Sequence, residues 1–155
     1  MFSGLLTAFC LFGDYPRLPL LEIGDPVPFD AIDTSVMVFL SEHEMVDEWK
    51  WLFQGVEYFL GVDSKSRVKY LSTYSRTVLP PEGIGVGATL EDVQKVNGII
   101  RERNWEDYWY VIVLPSGWKL GFYLNYSRTN KEPKPEAEVI VLFKGTPAAT
   151  FGGKH

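Results

Sequence analysis

His43 is the only histidine apart from the C-terminal His155, and it stands in the string Ser41-Glu42-His43-Glu44. Hydroxyl, imidazole and carboxylate therefore sit side by side, the groups from which a hydrolytic triad or a metal site is built. Neither fits. A metalloprotease helix needs a second histidine four residues on, and that position is Asp47. A Ser-His-Asp triad needs groups converging from separate elements, whereas neighbours on one element point in different directions. Gly83-Ile-Gly85-Val-Gly87 has the look of a phosphate-cradling loop. Pro80-Pro81-Glu82 stands where a strand should enter it, and no Gly-Lys-Ser or Gly-Lys-Thr follows. A turn leading into a capped helix is the simpler reading.

Carboxylates gather twice, at Glu42, Glu44, Asp47 and Glu48 and again at Glu102, Glu106 and Asp107. Nothing fixes any two at the separation a glycosidase pair requires. A solvated face is one reading of the first cluster. The other is a docking surface for a basic partner, since complementary charge speeds encounter and rejects wrong partners. Trp105, Tyr108, Trp109 and Tyr110 crowd one strand start, as core or as exposed anchors. The partner-binding candidates are thus Glu42, Glu44, Asp47, Glu48, Trp105 and Trp109. No catalytic residue, metal-ligand set or cofactor motif emerges, and the expectation is a protein that is not an enzyme.

The elements that must carry these residues follow from pattern. Ser41 and Glu44 have capping-box spacing, and Met45, Val46, Trp49, Leu52 and Phe53 recur at helical intervals, which predicts a helix ending at Gly55. Trp49, Trp51 and Phe53 also alternate with period two, so a strand remains the rival over 42–53. Ser35 to Leu40 reads as a short buried strand. Strands are expected over 56–62 and 67–74 around a polar turn, over 108–114 and 117–126 around Pro115-Ser116-Gly117, and over 139–143. Thr89 with Asp92 caps the clearest helix, near 89–97, with Leu90, Val93 and Val96 on one face and Gly98 as stop. Leu90, Val93, Trp118, Leu120, Phe122 and Ile140 are the expected core. Prolines at 16, 19, 26 and 28 make 13–34 an extended surface segment.

Ile23-Gly24-Asp25-Pro26 and Val86-Gly87-Ala88-Thr89 share an apolar-Gly start, and each precedes a helix candidate and a hairpin. A duplication would explain that; the unequal intervals speak against it. The fold class expected is α+β: an antiparallel sheet built from β-hairpins with one or two short helices.

Composition bounds the rest. A chain of 155 residues, 46% apolar and 23% charged, makes one globular domain spanning 1–155, with 1–12 and 146–155 as its fraying ends. A net charge of −5 disfavours nucleic acid and anionic membrane as partners, because both attract a cationic surface. Cys10 is the single cysteine, so no internal disulfide or multi-cysteine zinc site can form. The apolar stretch 1–12 lacks the Lys or Arg of a signal peptide, and Phe9 is too bulky before Cys10 for a lipoprotein signal. The expectation is a cytoplasmic protein.

Two resemblances bear on function. Gly83 to Gly98 (GIGVGATLEDVQKVNG), followed by a hairpin, resembles the helix-and-meander modules of the BamE/SmpA type, with Val86-Gly87 and Leu90-Glu91-Asp92-Val93 as the matching residues. That resemblance implies an envelope assembly or scaffold role. In size, acidity and lack of catalytic groups the whole chain resembles the immunity proteins that neutralise bacterial toxins. That second resemblance implies a protein partner, a basic toxin domain, bound and blocked without catalysis.

Overall fold

The computed structural model describes residues 16–103, 108–124 and 132–146. Eight strands form one antiparallel sheet: β1 (Ile32–Ser41), β2 (Glu44–Phe53), β3 (Val56–Val62), β4 (Val68–Thr73), β5 (Ile100–Arg103), β6 (Trp109–Val113), β7 (Lys119–Tyr123) and β8 (Val141–Gly145). Their order is β1-β2-β3-β4-β8-β7-β6-β5. Two four-stranded meanders therefore meet through their last strands.

The expected α+β class is corrected here. Among the described residues the one helix is α1 (Leu90–Val93), four residues long. Thr89 does cap it, its side chain accepting from the Asp92 N–H at 3.3 Å. The α-helix stops there because Lys95 and Val96 donate to carbonyls three residues back, not four.

The helix expected after Ser41 is strand β2. Ser41 pairs with Glu44 across the two-residue turn Glu42-His43, so the spacing read as a capping box closes a hairpin. Burial follows period two: Val46 and Glu48 are inside on one face, while Trp49, Trp51 and Phe53 face the other. What decides between the periods is β3. Trp51 lies opposite Tyr58 and Phe53 opposite Val56. The Trp51, Phe53 and Tyr58 rings then pack with centroids 5.0–6.5 Å apart, a cluster a helix could not offer to its neighbour.

The hairpins read at 56–62 with 67–74 and at 108–114 with 117–126 are present as β3–β4 and β6–β7. The strand expected at 139–143 is β8, two residues later. Leu90, Val93, Trp118, Leu120 and Phe122 are buried as expected, whereas Ile140 is half-buried. β5 had no sequence signal beyond Ile99 and Ile100.

Both sheet faces carry a core. The front face holds Leu60, Leu71, Leu142, Leu120 and Ile112, and segments 16–31, 76–99 and 132–140 cover it with side chains such as Leu18, Val78, Val93 and Val139. The back face holds Val46, Tyr70, Trp109, Val111, Val141 and Phe143. Two glycines make this back face possible. A Cβ on Gly61 would overlap the Tyr70 ring, and one on Gly121 would overlap Val141 and touch Trp109. Large side chains from adjacent strands thus lie flat across backbone that has no side chain to obstruct them.

The duplication suggested by the sequence has a structural counterpart. Gly24 N–H donates to the Val68 carbonyl, Val68 N–H to Asp25, and Val27 N–H to Ser66. In the second half Gly87 donates to Val139, Val139 to Ala88, and Leu90 to Ala137 in the same pattern. Gly24 and Gly87 share a φ of +94°. Gly61 opposite Tyr70 in the first half corresponds to Gly121 opposite Val141 in the second, with Val46 and Trp109 as third members.

Replacing Gly61 or Gly121 by Ala is expected to cost about 1–3 kcal/mol, the usual penalty of overpacking. Gly24→Ala, where nothing lies within 4 Å of the new methyl, should cost about 1 kcal/mol, from backbone strain alone. Urea denaturation of the three variants measures the contrast, and equal losses at all three positions would remove the packing role.

Candidate functional site

The β1–β2 hairpin is the element that brings candidate residues together. β2 pairs with β3 only over Asp47–Phe53, so Glu44–Val46, the turn and the matching end of β1 run past the third strand. The projecting end has two unlike faces. Val38, Leu40 and Val46, 6%, 2% and 2% exposed, join the back-face core and hold it rigid. On the front face Met37, Phe39 and Met45 are 56%, 47% and 44% exposed. Phe39 lies opposite Met45, and Met37 opposite Asp47, so the three apolar groups and one carboxylate share a patch.

The acidic residues divide accordingly. Glu42 and His43 form the exposed turn, with His43 Nε2 at 3.1 Å from the Glu42 carboxylate. Glu44 is exposed and pairs with Lys69 at 3.5 Å. Asp47 is exposed beside Met37. Glu48 is not part of this surface: it is 5% exposed on the back face, and Thr34 Oγ1 donates to its backbone carbonyl at 3.0 Å. Trp109 is 1% exposed, edge-on to Tyr123 at 5.9 Å, and belongs to the core. Trp105, Glu106 and Asp107 lie outside the described residues, and Glu102 is engaged by Lys119 at 3.0 Å.

Sequence reasoning missed Met37 and Phe39. In Ser35 to Leu40 apolar residues occupy both parities, a pattern that reads as burial on both faces. The position of β1 at the sheet edge, beyond the reach of the covering segments, leaves Met37 and Phe39 in water.

The other chemical candidates dissolve into structure. In the glycine-rich loop Gly83 donates to Pro80, Gly87 to Val139 and Ala88 to Gly85, so those N–H groups serve the fold and not a phosphate. Glu82 accepts from the Ser116 hydroxyl at 2.6 Å and its N–H at 2.9 Å, which ties this loop to the β6–β7 turn. Among the described residues no three His, Cys, Asp or Glu are grouped to hold a metal ion. None of the described helices is long and apolar enough to cross a membrane.

Two tyrosines have displaced titrations without belonging to a reactive site. Burial pushes the Tyr58 phenol up to about 12, and its hydroxyl finds no hydrogen-bond partner among the described residues. Tyr74 is pushed up by burial first and then by the nearby Glu48 carboxylate. Tyr58 lies in the front-face core and Tyr74 packs against the back-face core, so neither opens onto the projecting hairpin end.

Compared with known proteins, the chain matches no family model, and no curated protein and no solved structure is similar to it.

The Tyr58 phenol makes a pH prediction with a definite sign. Its proton is held more tightly in the folded state, so the stabilisation is complete below pH 10 and is lost as pH rises towards 12. Tyr58→Phe should make that alkaline loss shallower. At neutral pH it should leave stability unchanged or raise it by up to about 1 kcal/mol, because an unpaired buried hydroxyl is removed. Thermal melts between neutral and alkaline pH check both statements; a marked loss of stability at neutral pH would show that the hydroxyl is bonded.

Proposed function

We propose that this chain is a non-catalytic protein-binding domain of inhibitor type, and that the β1–β2 hairpin is its docking element. The observation that supports this reading is the projecting hairpin end, where Met37, Phe39 and Met45 stand half in water beside the Asp47 carboxylate, with Glu42 exposed at the turn and Glu44 on the opposite face. Exposed apolar groups rimmed by charge mark interaction surfaces more than scattered single residues do. Methionine adapts to an irregular partner surface, and a phenylalanine supplies a rigid anchor.

The partner that fits is a protein with a cationic rim around an apolar cleft. A chain of net charge −5 is drawn to such a surface, and the three carboxylates of the hairpin orient the encounter. A basic toxin domain has this chemistry. Immunity-type neutralisation in the cytoplasm, by covering the toxin's working surface, is the activity we assign. The envelope-scaffold reading draws less from the geometry. Leu90 and Val93 are buried, and Gly87 is bonded to Val139, so most of the motif behind that resemblance is spent inside the fold.

The test uses affinity capture from the native host with three baits: the parent, Glu42→Lys/Glu44→Lys/Asp47→Lys, and Met37→Asp/Phe39→Asp. All three positions of the first variant and both of the second are exposed, so each substitution is expected to change stability by no more than about 1 kcal/mol, Glu44→Lys the most because it also loses the pair with Lys69. A basic protein should be retained by the parent and lost by both variants. Binding kinetics on that protein should show association slowed by about tenfold or more in the charge variant, and falling with salt for the parent. The apolar variant should dissociate faster. Equal retention of the same partner by all three baits would rule out the hairpin as the docking element.

A further inference from the structure

A groove of about 900 Å³ opens on the covered side of the molecule, between the extended segment 16–22 and the loop 76–81. That volume lies within the range of small-molecule sites, which combine apolar walls with a few placed polar groups. The walls here are apolar. Leu18, Leu20, Leu79 and Trp118 line the groove, and among the described residues Leu20 and Leu79 are left 92% and 54% exposed.

The charged lining is the reverse of the whole chain. Arg17, Arg76 and Lys144 contribute three cations against the single carboxylate of Glu22, in a protein of net charge −5. Lys144 is held by Glu22 at 3.4 Å and lies 4.8 Å over the Trp118 ring, and Arg76 is held by Glu138 at 3.4 Å. Arg17 is different. Its backbone N–H is fixed by the Gln54 side chain at 2.8 Å, while its guanidinium has no ion-pair partner among the described residues.

A cation without an ion-pair partner among the described residues, at the rim of an apolar groove, suits an amphipathic anion. The walls also choose among such anions. Pro16, Pro19 and Pro81 line the groove and have no N–H to offer, so a peptide would find few main-chain donors to pair with as an added strand. An aliphatic tail needs none. We propose that this groove binds a medium- or long-chain fatty carboxylate, with its tail against Leu20, Leu79 and Trp118 and its head group on Arg17. The site shares no residue with the β1–β2 hairpin and stands or falls separately from the inhibitor reading.

The experiment is calorimetric titration of the full chain with dodecanoate, kept below its micelle concentration. Parallel titrations use acetate, dodecyltrimethylammonium and an apolar peptide with a free C-terminal carboxylate. One saturable site for dodecanoate is expected, with no binding of acetate, which lacks the tail, or of the cation, which has the wrong charge. Arg17→Glu and Leu20→Asp should each weaken dodecanoate by about tenfold or more, while Lys95→Glu, just after α1, should leave it unchanged. Both groove positions are exposed, so these variants are expected to keep the parent's circular dichroism and melting temperature. Absence of a saturable site, equal uptake of the cationic amphiphile, or undiminished affinity in both groove variants would overturn the proposal. Tighter binding of the peptide than of dodecanoate would overturn it as well.

Discussion

The pairing of β4 with β8 is the contact on which the molecule depends. Leu71 lies opposite Lys144, Ser72 opposite Phe143 and Thr73 opposite Leu142, and through these pairs two meanders become one sheet. Without that seam each meander would end on an open strand whose side chains are apolar on both faces. With it, Leu71, Ser72, Thr73, Leu142 and Phe143 are all fully buried. Apolar area removed from water on both faces, at roughly 25 cal/mol per Å², makes the middle of the sheet its most stable part. The polar groups placed there are bonded: Ser72 and Thr73 donate their hydroxyls to the carbonyls of Phe59 and Glu57 on β3.

The seam also explains why two similar halves do not look alike at their margins. Each half repeats the same anchoring hydrogen bonds around Gly24 and Gly87 and the same glycine under a large side chain. Near the seam the match is close, with sizes exchanged: Tyr70 on β4 leans over Gly61 towards Val46, whereas Trp109 on β6 leans over Gly121 towards Val141. Far from the seam the halves diverge. β5 is four residues long and carries Arg101 and Glu102, charges of the kind that keep an edge from pairing with other chains. β1 is ten residues long and uncharged from Thr34 to Ser41. Its bulges at Asp33/Val36 and Phe39/Ser41 are its only visible protection. The hairpin proposed for docking is thus a place where one half departs from the plan it shares with the other.

The groove arises from a related asymmetry on the covered face. In the second half the covering segment forms the α1 turn, and Leu90 and Val93 close down on the sheet. In the first half the corresponding stretch is interrupted by Pro26 and Pro28, and the chain before it stays extended. An extended segment held at few points, Arg17 on Gln54 and Glu22 on Asp25 and Lys144, leaves space between it and the loop 76–81.

The sequence by itself determined the two inner hairpins, the Thr89 cap and the buried residues of β7. These depend on neighbours within about ten residues, where alternation, turn residues and capping spacing act directly on the backbone. It left open two matters that only tertiary structure settled. Ser41 and Glu44 are spaced equally well for a helix cap and for the ends of a two-residue turn, and Trp49, Trp51 and Phe53 suit either period. Pairing with β3 chose the strand. Burial of Glu48 and exposure of Phe39 depend likewise on which strand ends the sheet and where the covering segments stop. Those are properties of distant chain brought together by the β4–β8 seam, and no local pattern carries them.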